Sequence, residues 1–214
     1  MSQNERKISL VVIRRLPRYY RYLGDLLAQN IRRISSKDLS VRMNVTASQI
    51  RQDLNCFGGF GQQGYGYNVE ELYEQIGIIL GLRDAHNAII VGAGHLGHAL
   101  ANHGGFAKRG FRVNALFDVD AGKIGSEING IPVRSMDDLE SFIRETNTDI
   151  AILAVTKANT KEVADRVIAA GVKGLLNFSY VDIDVPDDVV VENVHLSDSL
   201  MTLSYQLREK KQNQ

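Results

Sequence analysis

One glycine-rich stretch constrains the fold of this chain more than any other feature, because it joins a predicted strand directly to a predicted helix. The apolar run 89–91 is rich in β-branched residues, which is typical of a buried parallel strand. It leads into a G-x-G-x-x-G motif made of Gly92, Ala93, Gly94, His95, Leu96 and Gly97. In this context the three glycines make the turn, admit a pyrophosphate and let the helix pack against the sheet, while the helix N-terminus attracts phosphate. The stretch therefore predicts a dinucleotide-binding Rossmann domain.

The end of the second predicted strand strengthens this prediction. That strand, residues 112–117, is followed by Asp118, which lies 21 residues after Gly97. An acidic residue at this spacing accepts hydrogen bonds from ribose hydroxyl groups and repels a 2′-phosphate, which favours NAD(H) over NADP(H). The motif also leaves open a purely structural glycine turn and a related nucleotide such as coenzyme A.

Composition limits the class of protein. The 214 residues are 44% hydrophobic, which is enough for an ordinary folded core. The single cysteine, Cys56, excludes an internal disulfide and a cysteine-based metal site, and we expect it to be a small core residue. No apolar run reaches the roughly 18 residues of a membrane span, and the N-terminus lacks the apolar segment of a signal peptide. We expect a cytoplasmic protein with no membrane partner and no metal site.

The charges are unevenly distributed, although the net charge is zero. Residues 1–67 carry 11 Lys or Arg and four acidic residues, whereas residues 68–214 carry 14 and 21. The basic third is therefore the part of the chain that can attract a polyanion. A basic face that is merely solvated is the alternative, and charge alone does not exclude it.

The basic third contains a predicted helix-turn-helix. An apolar stripe predicts a helix from Leu16, Ser36 is expected to cap a short helix over residues 37–43, and Thr46 with Gln49 forms a capping box that opens another. Two short helices joined by a tight turn are typical of DNA-binding domains, and a small helical bundle is the alternative. The polar face of the second helix can bond base edges in a major groove through Ser48, Gln49, Arg51, Gln52 and Asn55.

Glycine and aromatic residues alternate over residues 57–67, which predicts a small hairpin directly after the second helix. A hairpin in this place is the wing of a winged helix, and its predicted tip, Gln62 and Gln63, is polar but uncharged. A helix capped at Asn68 closes the domain, and residues 83–87 are the predicted linker. The expected DNA contacts outside the second helix's polar face are Thr46, Gln63 and Tyr65.

The remainder of the chain alternates predicted strands and helices, which favours an α/β fold with a doubly wound parallel sheet. The predicted elements are strands 150–155, 174–178 and 189–194 and helices 136–145 and 159–170. Ligands of such sheets lie beyond the carboxyl ends of the strands, so the nicotinamide side is expected to be lined by Val155, Thr156, Asn177 and Phe178. A final helix over residues 197–210 has more apolar positions than a solvated tail needs, so we expect it to dock on a partner subunit or on the chain's own core.

No residue stands out as catalytic. Of the five histidines, His86 falls in the predicted linker, His95 and His98 lie on the predicted phosphate-binding helix, and no serine-, zinc- or lysine-based catalytic motif occurs. We therefore expect no enzymatic activity. Two alternatives remain: an enzyme, either an NAD-dependent oxidoreductase or a coenzyme A-binding ligase-like subunit, and a DNA-binding scaffold with an inactive cofactor site.

These motifs resemble the redox-sensing transcriptional repressor Rex family over nearly the whole chain. The similar segments are residues 46–54 (recognition helix), 57–67 (wing), 92–97 with 117–120 (NAD site), 174–178 and 191–194. The resemblance implies a homodimer that binds a palindromic double-stranded DNA operator with NAD⁺ or without cofactor and is released by NADH. It also implies that the C-terminal helix is exchanged between subunits and that the cofactor is a ligand and not a reactant. The expected domains are a winged-helix DNA-binding domain (1–82), a Rossmann NAD(H)-binding domain (83–194) and the exchanged helix (195–214).

The chain departs from the family's pattern at several positions. Many members carry lysine where this chain has Gln52, and a basic wing tip where it has Gln63, so we expect altered base preference or weaker phosphate contact. Arg21 matches the arginine of a cluster that couples the domains in some members, but His103 and His195 stand where its tyrosine and aspartate are expected. Our hypothesis is that these histidines make the response pH-dependent around neutrality.

Overall fold

The computed structural model describes residues 8–58, 61–62 and 65–212, with residues 61–62 described by their backbone alone. The chain forms two compact units, Met1–Asp84 and Ala85–Gln214. The first is a winged helix and the second is a Rossmann-like α/β unit, which confirms the predicted fold class.

The N-terminal unit combines helices with a small antiparallel sheet around an apolar core. Its elements are α1 (Leu10–Ile13), α2 (Leu16–Ala28), β1 (Arg33–Ile34), α3 (Ser36–Met43), α4 (Ala47–Asn55), β2 (Gly61–Gln62), β3 (Gly66–Asn68) and α5 (Val69–Ile79). Pro17 stands in the first turn of α2, where a backbone N–H is not needed. The apolar stripe predicted for α2 is buried, and Leu16, Tyr19 and Leu23 belong to the core.

The turn between α3 and α4 sets the start of the second helix. Asn44 has φ +50°, a left-handed conformation that ends α3. The Thr46 hydroxyl group then accepts a hydrogen bond from the Gln49 amide at 3.1 Å, so the predicted cap of α4 is present. The reciprocal bond of the capping box is not formed, because the Gln49 carboxamide is hydrogen bonded to Asp53 instead.

The start of α3 differs from the sequence prediction. Ser35 caps this helix, because its side-chain oxygen accepts a hydrogen bond from the Asp38 amide at 3.0 Å. Ser36, which was expected to be the cap, is the first helical residue. Its hydroxyl group is therefore available to another partner.

The wing is the hairpin of β2 and β3, which pair antiparallel, with β1 on the other side of β3. Gln63, predicted for the wing tip, lies outside the described residues. The Asn68 side chain caps α5 and accepts hydrogen bonds from the Glu70 and Glu71 amides at 3.1 and 3.4 Å, as predicted.

The C-terminal unit is built on a twisted sheet with helices on both faces. Its elements are β4 (His86–Val91), α6 (His95–Ala101), β5 (Phe111–Asp118), β6 (Glu127–Ile128), β7 (Ile131–Ser135), α7 (Leu139–Thr146), β8 (Ile150–Leu153), α8 (Thr160–Ala170), β9 (Gly174–Asn177), β10 (Val190–Asn193) and α9 (Leu196–Gln212). The strand order is β10-β9-β8-β4-β5-β7-β6. Because β4, β5 and β8 are parallel neighbours, their carboxyl ends meet at one edge.

Two strand predictions are corrected. Strand β4 begins at His86, which pairs with Phe111, so His86 and Asn87 belong to the sheet and not to the predicted linker. The hairpin of β6 and β7 was not predicted, although Asn129 and Gly130, at φ +54° and +75°, form the kind of turn that joins hairpin strands. Because β6 is antiparallel to β7, the sheet is not wholly parallel.

The last helix, α9, has no buried residue. Leu200, Leu203 and Leu207 are 67%, 49% and 53% exposed. Docking on the chain's own core, one of the two outcomes expected for this helix, is therefore wrong for the described residues.

Candidate functional site

A cleft of about 240 Å³ opens at the carboxyl ends of β4, β5 and β8. Its wall is formed by Val91, Gly92, Gly94, Phe117, Asp118, Val119, Lys123, Met136, Ala154, Val155, Thr156, Asn159 and Val163. Five of the predicted cofactor residues line it: Gly92, Gly94, Asp118, Val155 and Thr156. The volume lies below the ~300–1,000 Å³ usual for a pocket that encloses a whole ligand, so the cleft suits one nucleoside half of a dinucleotide.

The glycine-rich turn forms a cradle in which a side chain at Gly92 or Gly97 would collide with the backbone. Gly92 has φ +102°, and a Cβ there would overlap the Ala154 carbonyl oxygen. A Cβ at Gly97 would overlap the Gly92 carbonyl oxygen, so α6 begins directly against the end of β4. At Gly94 a Cβ would meet no atom within 4 Å, so this backbone faces open space. The cradle is closely packed at Gly92 and Gly97 and open at Gly94, which leaves room for a pyrophosphate group to approach the backbone.

Asp118 is held at the floor of this cleft. One carboxylate oxygen accepts a hydrogen bond from the Ala93 amide at 2.7 Å, and the other accepts one from the Asp120 amide at 2.9 Å. Burial alone would raise the pKa of Asp118, but these amides and Lys123 outweigh burial and hold the pKa below its ordinary range. The carboxylate is therefore ionised and already oriented before a ribose hydroxyl group reaches it.

Lys123 is a residue of the cleft that the sequence reasoning missed. Its Nζ lies 3.3 Å from an Asp118 carboxylate oxygen and 3.5 Å from one of Asp120. Two carboxylates against one ammonium leave the local charge negative, which disfavours a 2′-phosphate. The signal in the sequence was the Asp-x-Asp-x-x-Lys run that begins at Asp118, the last residue of β5, in which a turn brings the lysine back to the first acid.

Asn177, which was predicted to line the nicotinamide side, is held by hydrogen bonds within the C-terminal unit. Its side chain is buried, donates hydrogen bonds to the Val181 carbonyl oxygen and to Asn193, and accepts bonds from Ser179. Because these bonds occupy both its donors and its acceptor, Asn177 fixes the turn after β9 and offers no free hydrogen-bonding group to a ligand. Phe178, half-buried against the core, does not line the described cleft either.

The polar face predicted for α4 is exposed. Thr46, Ser48, Arg51, Gln52 and Asn55 are all exposed, and Gln49 is half-buried. Arg51 donates a hydrogen bond from Nη1 to the Ser36 hydroxyl group at 3.0 Å, which braces the guanidinium group against α3. Tyr65, before the second wing strand, is 70% exposed. Cys56, expected in the core, is exposed instead because it follows the last residue of α4 on the polar side.

A buried carboxylate lies behind this face. Asp53 is 1% exposed, and Arg15 contacts it with two hydrogen bonds of 2.6 Å, from Nε and Nη2. Tyr19 donates to it at 2.8 Å and Gln49 at 2.9 Å. The sequence reasoning missed this cluster, although Asp53 follows Ile50 at a helical spacing of three and therefore falls on the buried side of α4.

The three switch candidates belong to different units. Arg21 is exposed on α2 of the N-terminal unit. In the C-terminal unit, the His103 ring packs edge-on against Phe106 at 4.8 Å between centroids. The His195 ring stacks on Tyr180, and its Nδ1 lies 3.7 Å from an Asp198 carboxylate oxygen. Their expected coupling stays a prediction.

Within residues 8–58 and 65–212, no group of three or more His, Cys, Asp or Glu side chains is arranged to hold a metal ion. The helices described for this chain include none with the length and apolar character that crossing a bilayer requires.

A winged helix joined to a nucleotide-binding Rossmann-like unit defines a class of DNA-binding regulators that carry their own ligand domain. Residues 7–55 match the family described as putative DNA-binding protein N-terminus, and residues 83–181 match the CoA binding domain family. The redox-sensing transcriptional repressor Rex of Clostridioides difficile (strain 630) is 57% identical over 206 residues, which are 96% of this chain and 98% of that protein. The chain belongs to the redox-sensing transcriptional repressor Rex family.

Two solved structures are similar over the same length. A crystal structure of RSP in complex with beta-NAD⁺ and operator DNA has a TM-score of 0.89 and 54% identity, covering 95% of this chain and 94% of that one. A crystal structure of RSP in complex with beta-NADH also has a TM-score of 0.89, with 51% identity and 96% coverage of each chain.

Proposed function

We propose that this protein is a homodimeric transcriptional repressor that binds a palindromic operator and is released from it by NADH. The proposal rests on the finding that one chain contains both an exposed recognition helix and a glycine-rich turn whose Ala93 amide bonds to an ionised Asp118. The similar protein RSP was crystallised with NAD⁺ and operator DNA and with NADH, which supports the same pair of ligands here. A repressor must occupy the same compartment as its operator DNA, so we propose that the protein is cytoplasmic.

The cofactor is NAD, as NAD⁺ and NADH, and it acts as a regulatory ligand. The residues proposed to hold it are Gly92, Ala93, Gly94, His95, Leu96, Gly97, Asp118, Val155, Thr156 and Phe178, with Lys123 added and Asn177 acting through the turn it fixes. The open backbone at Gly94 receives the pyrophosphate, and Asp118 accepts hydrogen bonds from the adenosine ribose. The negative charge shared by Asp118, Asp120 and Lys123 selects against NADP(H).

We propose that the cleft has no catalytic residue. Its two charged side chains, Asp118 and Lys123, are paired with each other, and the described lining includes no histidine, the residue that most often serves as general acid or base. The similar Clostridioides difficile protein and RSP are named as repressors, which supports this proposal. Turnover of NADH with a small carbonyl compound would favour the oxidoreductase alternative instead.

The DNA ligand is double-stranded, and Thr46, Ser48, Gln49, Arg51, Gln52, Asn55, Gln63 and Tyr65 are the proposed contacts. The uncharged Gln52 makes hydrogen bonds in place of a charged contact, so the affinity for DNA should fall less steeply with salt than it would with lysine there. Arg51, braced by Ser36, is the proposed reader of guanine.

The exposed helix α9 is proposed to dock on a second copy of the chain. Its leucines recur at spacings of three and four and form one apolar stripe: Leu196, Leu200, Leu203 and Leu207. On the sheet face that carries α6, an apolar groove of about 310 Å³ is lined by Phe106, Val113, Ile150, Ile152 and Leu176. Both surfaces are of the kind that dimer formation buries.

The test is a titration of a duplex selected by the protein from a random pool. With NAD⁺ fixed, rising NADH should release the duplex, and NADPH at equal concentration should not. Arg51→Ala should abolish DNA binding and leave NADH binding intact, whereas Asp118→Ala should blunt the NADH response and spare DNA binding. Equal retention of the duplex with either coenzyme at saturation would refute the proposed function.

A further inference from the structure

The buried Asp53 carboxylate leaves the recognition helix little freedom in how it presents Gln49. Each of its oxygens accepts two hydrogen bonds, one from Arg15 and one from either Tyr19 or Gln49. All four acceptor positions of the carboxylate are therefore filled. Because Arg15 and Tyr19 come from the chain before and within α2, the network ties α4 to the neighbouring helix.

Asp53 acts only as an acceptor. Burial alone would raise its pKa, but the hydrogen bonds from Arg15, Gln49 and Tyr19 outweigh burial and hold the pKa below its ordinary value. An ionised carboxylate has no proton to donate, so only the nitrogen of the Gln49 carboxamide can face it. The Gln49 oxygen and its remaining N–H must then point away from Asp53.

We propose that Asp53, clamped by Arg15, orients Gln49 so that its carboxamide oxygen faces the base edges and selects a base with an exocyclic amino group. This inference deepens the proposed function and rests on it. Gln49 is a specificity-determining residue beside Arg51, and Asp53 and Arg15 are positioning residues that touch no DNA.

The donors and acceptors on the major-groove edge of each base determine which bases Gln49 can bind in this orientation. In the major groove adenine offers an amino donor beside the N7 acceptor, which matches the oxygen and the remaining N–H of Gln49. Cytosine offers an amino donor alone. Guanine and thymine present carbonyl acceptors that cannot bond to the Gln49 oxygen, so only its remaining N–H can bond to them. A fixed Gln49 therefore prefers adenine, then cytosine, at one position of each half-site.

The experiment compares base preference in full-length variants, using selected duplexes with every base in turn at each half-site position. Gln49→Ala should lose about tenfold discrimination at one position only, which identifies the base pair that Gln49 reads. The variant Arg15→Met/Tyr19→Phe/Asp53→Leu replaces the whole network by apolar side chains, so no buried charge is left unpaired. It should lose the discrimination at that same position, because the carboxamide can then turn either way. Tyr19→Phe alone keeps the Asp53–Gln49 bond and should keep the preference.

A second measurement uses the unmodified protein and does not depend on the fold of the triple variant. Deleting the exocyclic amino group of the preferred base should weaken binding about tenfold in the unmodified protein and leave Gln49→Ala unaffected. An equal loss in both proteins would overturn the orientation, as would a folded triple variant that keeps the full preference. If the unmodified chain selects no duplex at all, the proposed function itself fails and the inference with it.

Discussion

Replacing Gly97 by alanine is expected to destabilise the C-terminal unit and to weaken dinucleotide binding. A Cβ at this position would overlap the Gly92 carbonyl oxygen and lie 3.0 Å from its carbonyl carbon, with Ile90 Cγ2 at 3.4 Å. Because backbone atoms do not rotate away, the start of α6 must retreat by roughly 1–2 Å to restore ordinary contact. Overpacking of this kind costs about 1–3 kcal/mol, or roughly 3–10 °C in the melting temperature of a unit of this size.

Gly94→Ala is the matched control for this change. A Cβ there meets no heavy atom within 4 Å, and the φ of −77° is one that alanine adopts freely. Its melting temperature should stay within about 2 °C of the unmodified protein, since surface changes without strain cost little. NADH affinity should still fall by about tenfold, because the methyl group stands where the backbone must approach the pyrophosphate.

Thermal melts followed by circular dichroism, together with fluorescence titrations of NADH, measure both effects. A Gly97→Ala protein that melts with the unmodified one would refute the argument from close approach. An unchanged NADH affinity in Gly94→Ala would show that the pyrophosphate does not lie at this turn.

The other predictions concern acid stability, the last helix and the histidine positions. The pKa of Asp53 is lower in the folded chain than its ordinary 3.8, so its ionised form stabilises the N-terminal unit above about pH 4, and this contribution is lost as the pH falls through the folded pKa. Urea unfolding between pH 6 and 3 should therefore show a shallower acid slope in the apolar triple variant, and equal slopes would contradict it. Leu203→Asp should shift the mass measured by light scattering from dimer to monomer, whereas Thr202→Asp, on another side of the helix, should not; two dimers would refute docking through the leucines. If His103 and His195 take part in the switch, NADH-driven release should vary between pH 6 and 8 and become flatter in His195→Asn; a constant response in the unmodified protein rules the idea out.

Local signals predicted most of the fold. The strand–glycine–helix run of residues 89–100 and the acid at Asp118 define the cleft because each acts on its chain neighbours or on a fixed spacing. The Thr46 cap and the Asn68 cap were also predictable, because a capping side chain bonds to amides two or three residues away. The β6–β7 hairpin was also predictable from the sequence, since Asn129-Gly130 is a local turn signal.

The rest depends on contacts between distant parts of the chain. Arg15 and Asp53 are 38 residues apart, and nothing near either one shows that the other will neutralise it. Asn177 ends a strand, which predicted it to line the nicotinamide side, but nothing in its neighbourhood showed that its side chain would be buried by partners on the following turn and on β10. Gln49 was predicted to bond backward to its own cap but bonds to Asp53, one turn along the same helix, which the distant Arg15 and Tyr19 hold in place.

Because α9 has no buried residue, we expect the stability of the protein to depend on its concentration. A helix of 17 residues without tertiary support is only marginally stable in water. If a second copy supplies that support, each tenfold dilution removes about 1.4 kcal/mol from the apparent stability of the assembly. In a cell that holds few copies, some would then be monomers, and a monomer has a single recognition helix and cannot bind both halves of a two-fold operator.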